Sequence, residues 1–409
     1  MLLHWIWYAH RPGVNDWMKK TLLQHFLDPE EIFFADPQAF SCVEGITQEA
    51  VDSLMDRDLI PAEEILETCL RKNIRILTYQ DAAYPNRLRA IADPPMVLYC
   101  RGNLPDIEGN AVIGVVGTRK ASLYGLDVAR RMGYQISKCG CIVASGLAAG
   151  IDAKAMYGAL MGGQSVIGVL GCGVDVVYPL SNRSLFEDTL RYGCVLSEFA
   201  PGTPPNRWNF PKRNRIISGL SCGVLVVEAP ERSGALITAR QAAEQGRDVF
   251  VIPGTIDNDA CAGSNRLMRE GAMPVGCGWD IAGEYAHIFP DKLHRGDGQE
   301  TPAENLPKCA PEEKEKPADR ACSEILKNEN EKIVIDKAAS PPYSDVNKPM
   351  PKLSQEEQSV VDSLSSGQRL VDDVIAETGL PTGKLLGILT MLELKGIICR
   401  LPGKQIRLR

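Results

Sequence analysis

The sequence is short of the residues and motifs that commonly mark catalysis or cofactor binding. Its 409 residues include five histidines, and none of these lies between residues 26 and 286. That distribution argues against histidine-based catalysis or a histidine-rich metal site in the centre of the chain. The dinucleotide fingerprint G-x-G-x-x-G and the P-loop G-x-x-x-x-G-K-[ST] are both absent. We therefore expect no cofactor and no metal.

Disulfide-like and zinc-like cysteine spacings are also missing. The 13 cysteines are scattered, and no two of them form a C-x-x-C pair. Scattered thiols are typical of a reducing compartment. The N-terminus, MLLHWIWYAH, lacks the basic start of a secretory signal, and no apolar run is long enough to cross a bilayer. We expect a cytoplasmic protein that does not associate with membranes.

Charge is distributed unevenly along the chain, whose net charge is -7. Residues 1–106 hold 10 basic and 16 acidic groups, whereas residues 107–290 hold 17 and 16. Within the second block, Phe199–Val227 has four cations, no carboxylate and two interleaved aromatics, Trp208 and Phe210. Four prolines predict an extended chain up to Pro211, with a helix beginning at Lys212. Cations beside aromatic faces favour polyanion binding, but a solvated surface loop has a similar composition.

The central residues alternate between apolar, mostly β-branched runs and segments with helical spacing. The apolar runs are residues 111–117, 141–146, 165–171, 194–199, 223–229 and 248–254. The helical segments are residues 122–139, 150–162, 180–192, 212–222 and 236–247. Nearly continuous apolar strands between helices are typical of a parallel sheet covered on both faces. The pattern predicts an α/β fold with a doubly wound, Rossmann-like parallel sheet in residues 74–290.

Three further regions flank this predicted domain. Residues 1–73 have the spacing of short helices, with a turn at Cys42–Ile46 like that of a helix-hairpin-helix or SAM-like module. Residues 291–352 mix charges of both signs with eight prolines, which predicts a disordered linker. Residues 353–409 predict three amphipathic helices and two short strands, a winged-helix-like pattern. This last segment has seven basic and seven acidic groups, so we expect a role in protein interaction rather than the main DNA contact.

Small residues collect where four of the predicted strands end. They include Gly117, Gly146, Gly171 and the pair Ser233-Gly234. The carboxyl ends of parallel strands meet at one edge of a sheet, where ligands bind. Backbone N–H groups at such turns and helix starts favour phosphate, although a single glycine turn is more often only tight packing. Arg119 follows Gly117-Thr118 directly, and a cation in that place is predicted to point into the ligand crevice.

Carboxylates near the strand ends allow two interpretations. The residues are Asp152, Asp175, Glu198 and Glu228. They could act as general acids or bases. They could also cap helices and hold arginine and lysine side chains in place, which we favour because no nucleophile and base are brought together by the sequence.

Six segments together resemble the DprA (Smf) family of bacterial DNA-processing proteins, and they cover most of residues 79–290 in order. They read VGTRKASLYG (116–125), SGLAAGIDAKA (145–155), GCGVDVVYP (171–179), SEFAPGTPPNRWNFPKRNRIISGLS (197–221), EAPERSGALITARQAAEQGRDVFVIPG (228–254) and GSNRLMREGA (263–272). Two positions depart from the family pattern. Met156 stands where the family more often has histidine, and Arg207 where many relatives have lysine.

The resemblance implies single-stranded DNA binding without catalysis. It also implies protection of incoming single strands in natural transformation, loading of the RecA recombinase, and a homodimer built through the Rossmann-like domain. Carried over by motif, Arg119, Arg207 and Arg213 would pair phosphates and Phe210 would stack on a base. The other expected DNA-binding residues are Gly117, Thr118, Gly146, Gly171, Lys212, Asn214 and Arg215. Of these, Asn214 and Arg215 could instead tie the helix start to the sheet.

Two alternatives remain at the level of sequence. One is a nucleotide-processing enzyme similar to the lysine-decarboxylase-like phosphoribohydrolases, whose P-G-G-x-G-T-x-x-E element supplies a catalytic glutamate. The comparable region here, Ser233–Ala242, has neither the glycine pair nor that glutamate. The other alternative makes the C-terminal module the main DNA reader.

Overall fold

The computed structural model describes residues 1–296 and parts of residues 359–408. The chain divides into two compact units, Met1–Pro311 and Glu312–Arg409. The predicted linker, residues 291–352, lies outside the described residues except for 291–296. Within the part of the chain that is described, every helix is too short or too polar to cross a lipid bilayer.

Nine strands of the first unit form one sheet. They are β1 (Arg75–Thr78), β2 (Val97–Gly102), β3 (Val112–Val116), β4 (Ile142–Ser145), β5 (Val166–Val169), β6 (Cys194–Ser197), β7 (Gly223–Val226), β8 (Asp248–Val251) and β9 (Met273–Pro274).

Thirteen helices are described in the same unit, five of them before the sheet begins. These five are α1 (Leu2–Ala9), α2 (Asp16–His25), α3 (Pro29–Phe34), α4 (Gln48–Met55) and α5 (Ile60–Arg71). The other eight are α6 (Asn86–Arg89), α7 (Leu123–Lys138), α8 (Ile151–Gly162), α9 (Arg183–Tyr192), α10 (Asn209–Leu220), α11 (Gly234–Glu244), α12 (Ala262–Arg269) and α13 (Gly278–Ala282).

The sheet has the order β1-β2-β6-β5-β4-β3-β7-β8-β9. All pairs from β6 to β9 are parallel. The chain builds outward from β3 first through β4, β5 and β6, and then on the other side through β7 and β8. That reversal puts the topological switch point between β3 and β7, where open α/β sheets bind their ligands. The predicted α/β, doubly wound, Rossmann-like fold is confirmed.

Both faces of the sheet are buried, which explains the continuous apolar runs. Ile113 and Val115 of β3 belong to one hydrophobic core cluster, and Val112 and Val116 belong to the other. Met156 is fully buried in the first cluster. The sequence alone had not indicated a role for it, and the structure makes it a core residue.

One edge of the sheet differs from the expectation of a purely parallel arrangement. Strand β2 runs antiparallel to β6, and β1 runs antiparallel to β2. Pro94 and Pro95 stand just before β2, and because of these two prolines the sequence analysis did not predict β2 as a strand. Prolines are tolerated there because they precede the ladder rather than interrupt it.

Helix α10 begins earlier than predicted. The extended chain was expected to reach Pro211, yet α10 starts at Asn209 and Pro211 lies inside its first turn. The N–H groups of a first turn have no intrahelical acceptor, so proline costs little there. The consequence is that Phe210 is fixed on a helix and is not carried by a mobile arm.

The N-terminal helices and the sheet belong to one compact unit. Side-chain oxygens of Asn15, Asp28 and Thr47 accept N–H bonds at the starts of α2, α3 and α4. Gly45 has φ +78 and lies against the Trp17 ring, so the predicted bend at Cys42–Ile46 does need a glycine. We refer to α1–α5 as the helical module.

The second unit contains α14 (Val371–Thr378) and three short strands, β10 (Arg369–Leu370), β11 (Ile398–Leu401) and β12 (Gln405–Leu408). Strands β11 and β12 form an antiparallel hairpin, as predicted, and β10 adds a third strand to it. The buried hydrophobic side chains described in this unit are Val360, Leu364, Val374, Leu385, Leu389 and Leu392.

Candidate functional site

A crevice of about 460 Å³ opens at the switch point of the sheet. Most of its walls come from three places in the sequence: residues 116–119 at the end of β3, residues 205–214 at the start of α10, and residues 230–238 around the start of α11. Ala148, Asp152 and Tyr178 complete the lining. We call it the switch-point crevice. It contains four of the arginines of the chain, Arg119, Arg207, Arg213 and Arg232, and Asp152 is the one carboxylate among the described residues that line it.

The turn after β3 is held by the backbone that follows β7, the neighbouring strand. The Thr118 N–H donates to the Glu228 carbonyl oxygen at 2.8 Å. A Cβ on Gly117 would lie 2.5 Å from Cγ1 of Ile151, so only glycine fits there. Arg119 follows this fixed turn and is exposed. The predicted orientation of Arg119 into the crevice agrees with its place in the lining.

Arg119 and Phe210 meet across the crevice. The guanidinium carbon of Arg119 lies 4.6 Å from the centre of the Phe210 ring, a cation–π contact. The Tyr178 ring lies 5.6 Å from the Phe210 ring. These three side chains, which we call the arginine–aromatic cluster, also line a second pocket of about 100 Å³ beside Gly146 and Gly171.

Gly171 leaves the space against which the Phe210 ring packs. A Cβ at this position would lie 2.9 Å from Cδ1 of Phe210, closer than real Cβ atoms come to a neighbour. The expected close approach at the end of β5 is therefore made by the protein's own aromatic ring.

Arg213 lies in the floor of the crevice and is almost fully buried. Its Nη1 donates to the Val169 carbonyl oxygen at 2.6 Å. A Cβ on Gly146 would lie 2.0 Å from the same Nη1, so Gly146 makes room for the guanidinium. Burial, together with nearby Arg119, lowers the pKa of Arg213 to about 10, although Asp152 opposes that shift. Its Nε has no hydrogen-bond partner in the described structure.

Asp152 and Glu228 hold the backbone of the strand-end turns. The buried Asp152 carboxylate accepts from the Gly146 N–H at 3.1 Å, and burial raises its pKa. Glu228 accepts from the Ser122 N–H at 2.8 Å, and Ser122 in turn caps α7. In the structure both carboxylates therefore accept hydrogen bonds from backbone N–H groups of the strand-end turns.

Arg207 lies on the outer wall and stacks its guanidinium 4.5 Å from the Trp208 ring. Both side chains are exposed. The loop that precedes them is anchored by Asp175, which accepts from the Gly202 N–H at 2.7 Å and pairs with Lys72. Asn214 is also in the lining and donates from its amide to the Gly234 carbonyl oxygen at 3.4 Å, which ties the starts of α10 and α11 together.

Lys212 and Arg215 are the two predicted DNA-binding residues that line neither the switch-point crevice nor the second pocket. Arg215 is buried and its Nη2 lies 2.8 Å from carboxylate oxygens of both Asp16 and Glu198. Lys212 pairs with the same two carboxylates at 3.0 and 3.2 Å. Arg215 thus ties the start of α10 to the rest of the unit, the alternative that was open for it. Direct DNA contacts by these two residues stay predictions.

Two members of the site have only a weak signal in the sequence. Tyr178 follows a glycine-containing turn and precedes a cis peptide bond to Pro179, but an aromatic before proline is common. Arg232 directly follows Glu231, so the sequence there shows no local excess of positive charge. Only the fold shows that both side chains line the crevice.

A hydrolase-like spacing, Gly219-Leu-Ser-Cys-Gly223, also occurs in the chain. A nucleophile elbow needs an exposed serine between a strand and the following helix. Here Ser221 follows α10 and precedes β7, is fully buried, and donates to the Ile217 carbonyl oxygen at 2.8 Å. The spacing therefore does not create a nucleophile.

Comparison with known proteins gives consistent matches along the chain. The family described as "DNA recombination-mediator protein A" matches residues 75–286, and the "DprA winged helix domain" matches residues 345–404. The chain is 33% identical over 410 residues to Protein Smf of Synechocystis, covering 99% of this chain and 98% of that protein. It is 38% identical over 217 residues to the DNA processing protein DprA of Bacillus subtilis, covering 53% of this chain and 73% of that protein.

A solved structure is similar as well. The X-ray structure of DprA from Streptococcus pneumoniae aligns with a TM-score of 0.60 and 34% identity, covering 69% of this chain and 98% of that one. Fold, crevice and matches together define a Rossmann-like DNA-processing protein with a C-terminal winged-helix domain. The chain belongs to the DprA/Smf family, as the motifs had indicated.

Proposed function

We propose that this protein is a non-catalytic single-stranded DNA-binding protein. In this proposal it protects incoming single strands during natural transformation and loads the RecA recombinase on them. It acts in the cytoplasm as a homodimer. The family description as a recombination mediator and the DNA-processing relatives support the general role.

The observation that carries the proposal is the arginine–aromatic cluster at the switch point. Arg119 and Phe210 come from different elements yet lie 4.6 Å apart in an open crevice. An exposed guanidinium can pair with a phosphate, and an aromatic ring can stack on any base because every base has a π-face. Arg207 and Arg232 extend the positive lining on both sides. This combination suits a flexible single strand better than a stacked duplex, whose bases are not free to stack on a protein ring.

The decisive experiment compares Arg119→Ala with the wild-type protein by fluorescence anisotropy on a single-stranded oligonucleotide. Arg191→Ala is the matched control, because Arg191 is exposed at the end of α9, just before the start of β6, whereas the crevice lies at the carboxyl ends of the parallel strands. We expect Arg119→Ala to raise Kd about tenfold, equivalent to about 1.4 kcal/mol. The slope of log K against log salt should fall by about 0.7, the loss of one phosphate contact on a single strand. Unchanged binding by Arg119→Ala would remove the site assignment.

Phe210→Ala gives an independent signature at the same site. Loss of a stacked base costs about 1–3 kcal/mol but removes no ion pair. We therefore expect weaker binding with an unchanged salt slope. A fall in the slope equal to that of Arg119→Ala would contradict the division of roles between the two residues.

The enzyme alternative has a direct test in the same preparation. Incubation with nucleoside monophosphates should release no base or ribose 5-phosphate. Turnover that is lost in Asp152→Asn would establish a nucleotide-processing enzyme and overturn the proposal. The structure offers little for such chemistry, since the Asp152 carboxylate is buried and already accepts a backbone N–H bond.

A further inference from the structure

A buried ionic network connects the helical module to the first turns of α10. Asp16, the first residue of α2, contacts Lys212 at 3.0 Å and Arg215 at 2.8 Å. Glu198, just after β6, contacts the same two cations at 3.2 and 2.8 Å. Three parts of the chain that are far apart in sequence therefore meet at one cluster of charges, which we call the Asp16 network.

The Asp16 network can hold α10 in one position relative to the helical module, because most of its side chains are shielded from water. The side chains of Arg215, Glu198 and Asp16 are 3%, 6% and 9% exposed. Charge–charge interactions are much stronger there than at the surface, and an unpaired charge is correspondingly costly. Burial alone would lower the pKa of Arg215, but the carboxylates of Glu198, Asp16 and Asp93 raise it above its ordinary value. The surrounding carboxylates therefore favour the charged form of Arg215.

The guanidinium of Arg215 is held on several sides. Its Nη2 is shared by Asp16 and Glu198, and its Nε donates to Asp93 at 3.1 Å. Three carboxylates around one planar group define its position and its orientation. Lys212 is half exposed, and its ammonium group also contacts Asp16 and Glu198.

These cations lie on the same helix as the residues that face the crevice. Phe210 and Arg213 come from the first five residues of α10, and Lys212 and Arg215 are their neighbours in sequence. The two pairs point to different sides of the helix, one to the crevice and the other to the helical module. Rotation of α10 about its axis would move both sets together. Fixing Lys212 and Arg215 thus fixes the position of the Phe210 ring.

We propose that Asp16 is a positioning residue for DNA binding: through Lys212 and Arg215, the helical module orients α10 and thereby the side chains that α10 presents to the crevice. The inference rests on the proposed single-stranded DNA binding, and it adds the helical module to the functional unit. Asp16 is not among the described residues that line the crevice, and its ion pairs with α10 involve Lys212 and Arg215, so the proposed effect on binding is indirect.

The test compares Asp16→Asn, Asp16→Glu and the control Asp56→Asn in the full-length chain. Asp56 also belongs to the helical module and forms an ion pair, but its partner is Arg11 of the same module. Two quantities are measured: Kd for a single-stranded oligonucleotide, and amide hydrogen exchange of residues 213–220. We expect Asp16→Asn to raise Kd at least about fivefold and to accelerate exchange in α10. Asp16→Glu, which keeps the charge, should stay within about twofold of wild type, as should Asp56→Asn.

Each outcome has a definite consequence. Faster exchange in α10 with unchanged Kd, or equal weakening by Asp16→Asn and Asp56→Asn, would overturn the positioning role. If Asp16→Asn does not fold, Lys212→Gln removes the same ion pair from the half-exposed side and is measured in the same two ways. Positioning then predicts faster exchange with an unchanged salt slope, whereas a direct phosphate contact by Lys212 predicts unchanged exchange and a lower slope. If wild-type protein binds no single strand, the proposed function fails, and hydrogen exchange still reports whether Asp16 orders α10.

Discussion

Gly171 and Gly146 show how single residues shape the switch-point crevice. Each lies at the end of a strand, and each leaves space that a side chain of α10 fills: the Phe210 ring at Gly171 and the Arg213 guanidinium at Gly146. The backbone therefore approaches parts of the protein itself. A position expected to admit a ligand's phosphate is instead used to place the side chains that would contact the ligand.

Gly171→Ala tests this arrangement at the scale of one methyl group. The added Cβ would lie 2.9 Å from the Phe210 ring, so the ring must shift. We expect the free energy of unfolding to fall by about 1–3 kcal/mol, the usual cost of overpacking. Single-stranded DNA affinity should fall as well, because Phe210 no longer stacks in the same place.

Gly276→Ala serves as the control for backbone substitution. A Cβ there would have one neighbour, 3.7 Å away, which is ordinary contact. Urea unfolding and anisotropy should show little change for this variant. Equal effects of the two substitutions, or unaltered DNA binding by a folded Gly171→Ala, would show that Gly171 does not position the Phe210 ring for binding.

The site could be predicted from sequence as far as local pattern determines it. Arg119 follows a glycine turn at the end of a strand, so its place in the crevice follows from general rules for α/β sheets. Lys212 and Arg215 look equally favourable in the sequence, since they stand beside Arg213. Their partner Asp16 is 196 positions from Lys212 in the chain, and no local pattern reveals an ion pair across that separation.

At the scale of elements, the attachment of α1 to the sheet involves a histidine. His10 follows α1, is partly buried, and shares a hydrogen bond of 2.8 Å with the Tyr99 hydroxyl of β2. Burial lowers the pKa of His10 to about 4 from its usual 6.5, and the charges of Lys19, Lys212 and Arg11 add to this shift. The folded protein therefore keeps His10 neutral at pH values where the unfolded chain protonates it.

This shift predicts a specific loss of stability in acid. A lowered native pKa means that stability is complete above the unfolded value and is lost as the pH falls from about 6.5 towards 4. We expect His10 to account for about 2 kcal/mol of the stability difference between pH 7 and pH 5. Urea unfolding of the wild type and of His10→Gln at both pH values isolates the contribution of His10 to the free energy of unfolding. All other titrating groups are present in both proteins, so their contributions cancel in the comparison. Parallel pH profiles would show that His10 does not contribute.

Element positions were predicted well where the signal is an apolar run between glycine turns. The six central strands and five central helices all occur close to their predicted bounds. The start of α10 and the strand β2 were missed for one shared reason, which is proline. Proline excludes a helix interior or a ladder interior, but it is compatible with the first turn of a helix and with the residues just before a strand.

At the scale of the whole molecule, the two compact units allow separate tests. The winged-helix segment has seven basic and seven acidic groups in residues 353–409, so it brings no excess of positive charge. We expect deletion of residues 353–409 to change Kd for a single-stranded oligonucleotide by less than about threefold. Charge sets most of non-specific affinity, and a neutral segment adds little of it.

The matched comparison for that deletion is Arg119→Ala in the full-length chain, measured at the same salt concentration. The crevice variant should weaken binding more than loss of the entire C-terminal segment does. Abolished binding in the deletion, with normal unfolding of the remaining unit, would make the winged-helix segment the main DNA reader. The predicted domain limits and the linker stay predictions, because residues 297–358 lie outside the described residues.

The contact between Arg119 and Phe210 has an energetic consequence for the free protein. With its guanidinium on the ring, Arg119 already occupies a face that an incoming base would use. In the proposed binding mode, DNA binding is an exchange: a base would stack on the Phe210 ring, and the released Arg119 guanidinium would pair with a phosphate. The displaced cation–π contact is worth about 0.5–1 kcal/mol at an exposed site, so its loss would raise Kd about two- to fivefold. In the unoccupied protein, the guanidinium thus lies over the aromatic ring that the proposal assigns to a base.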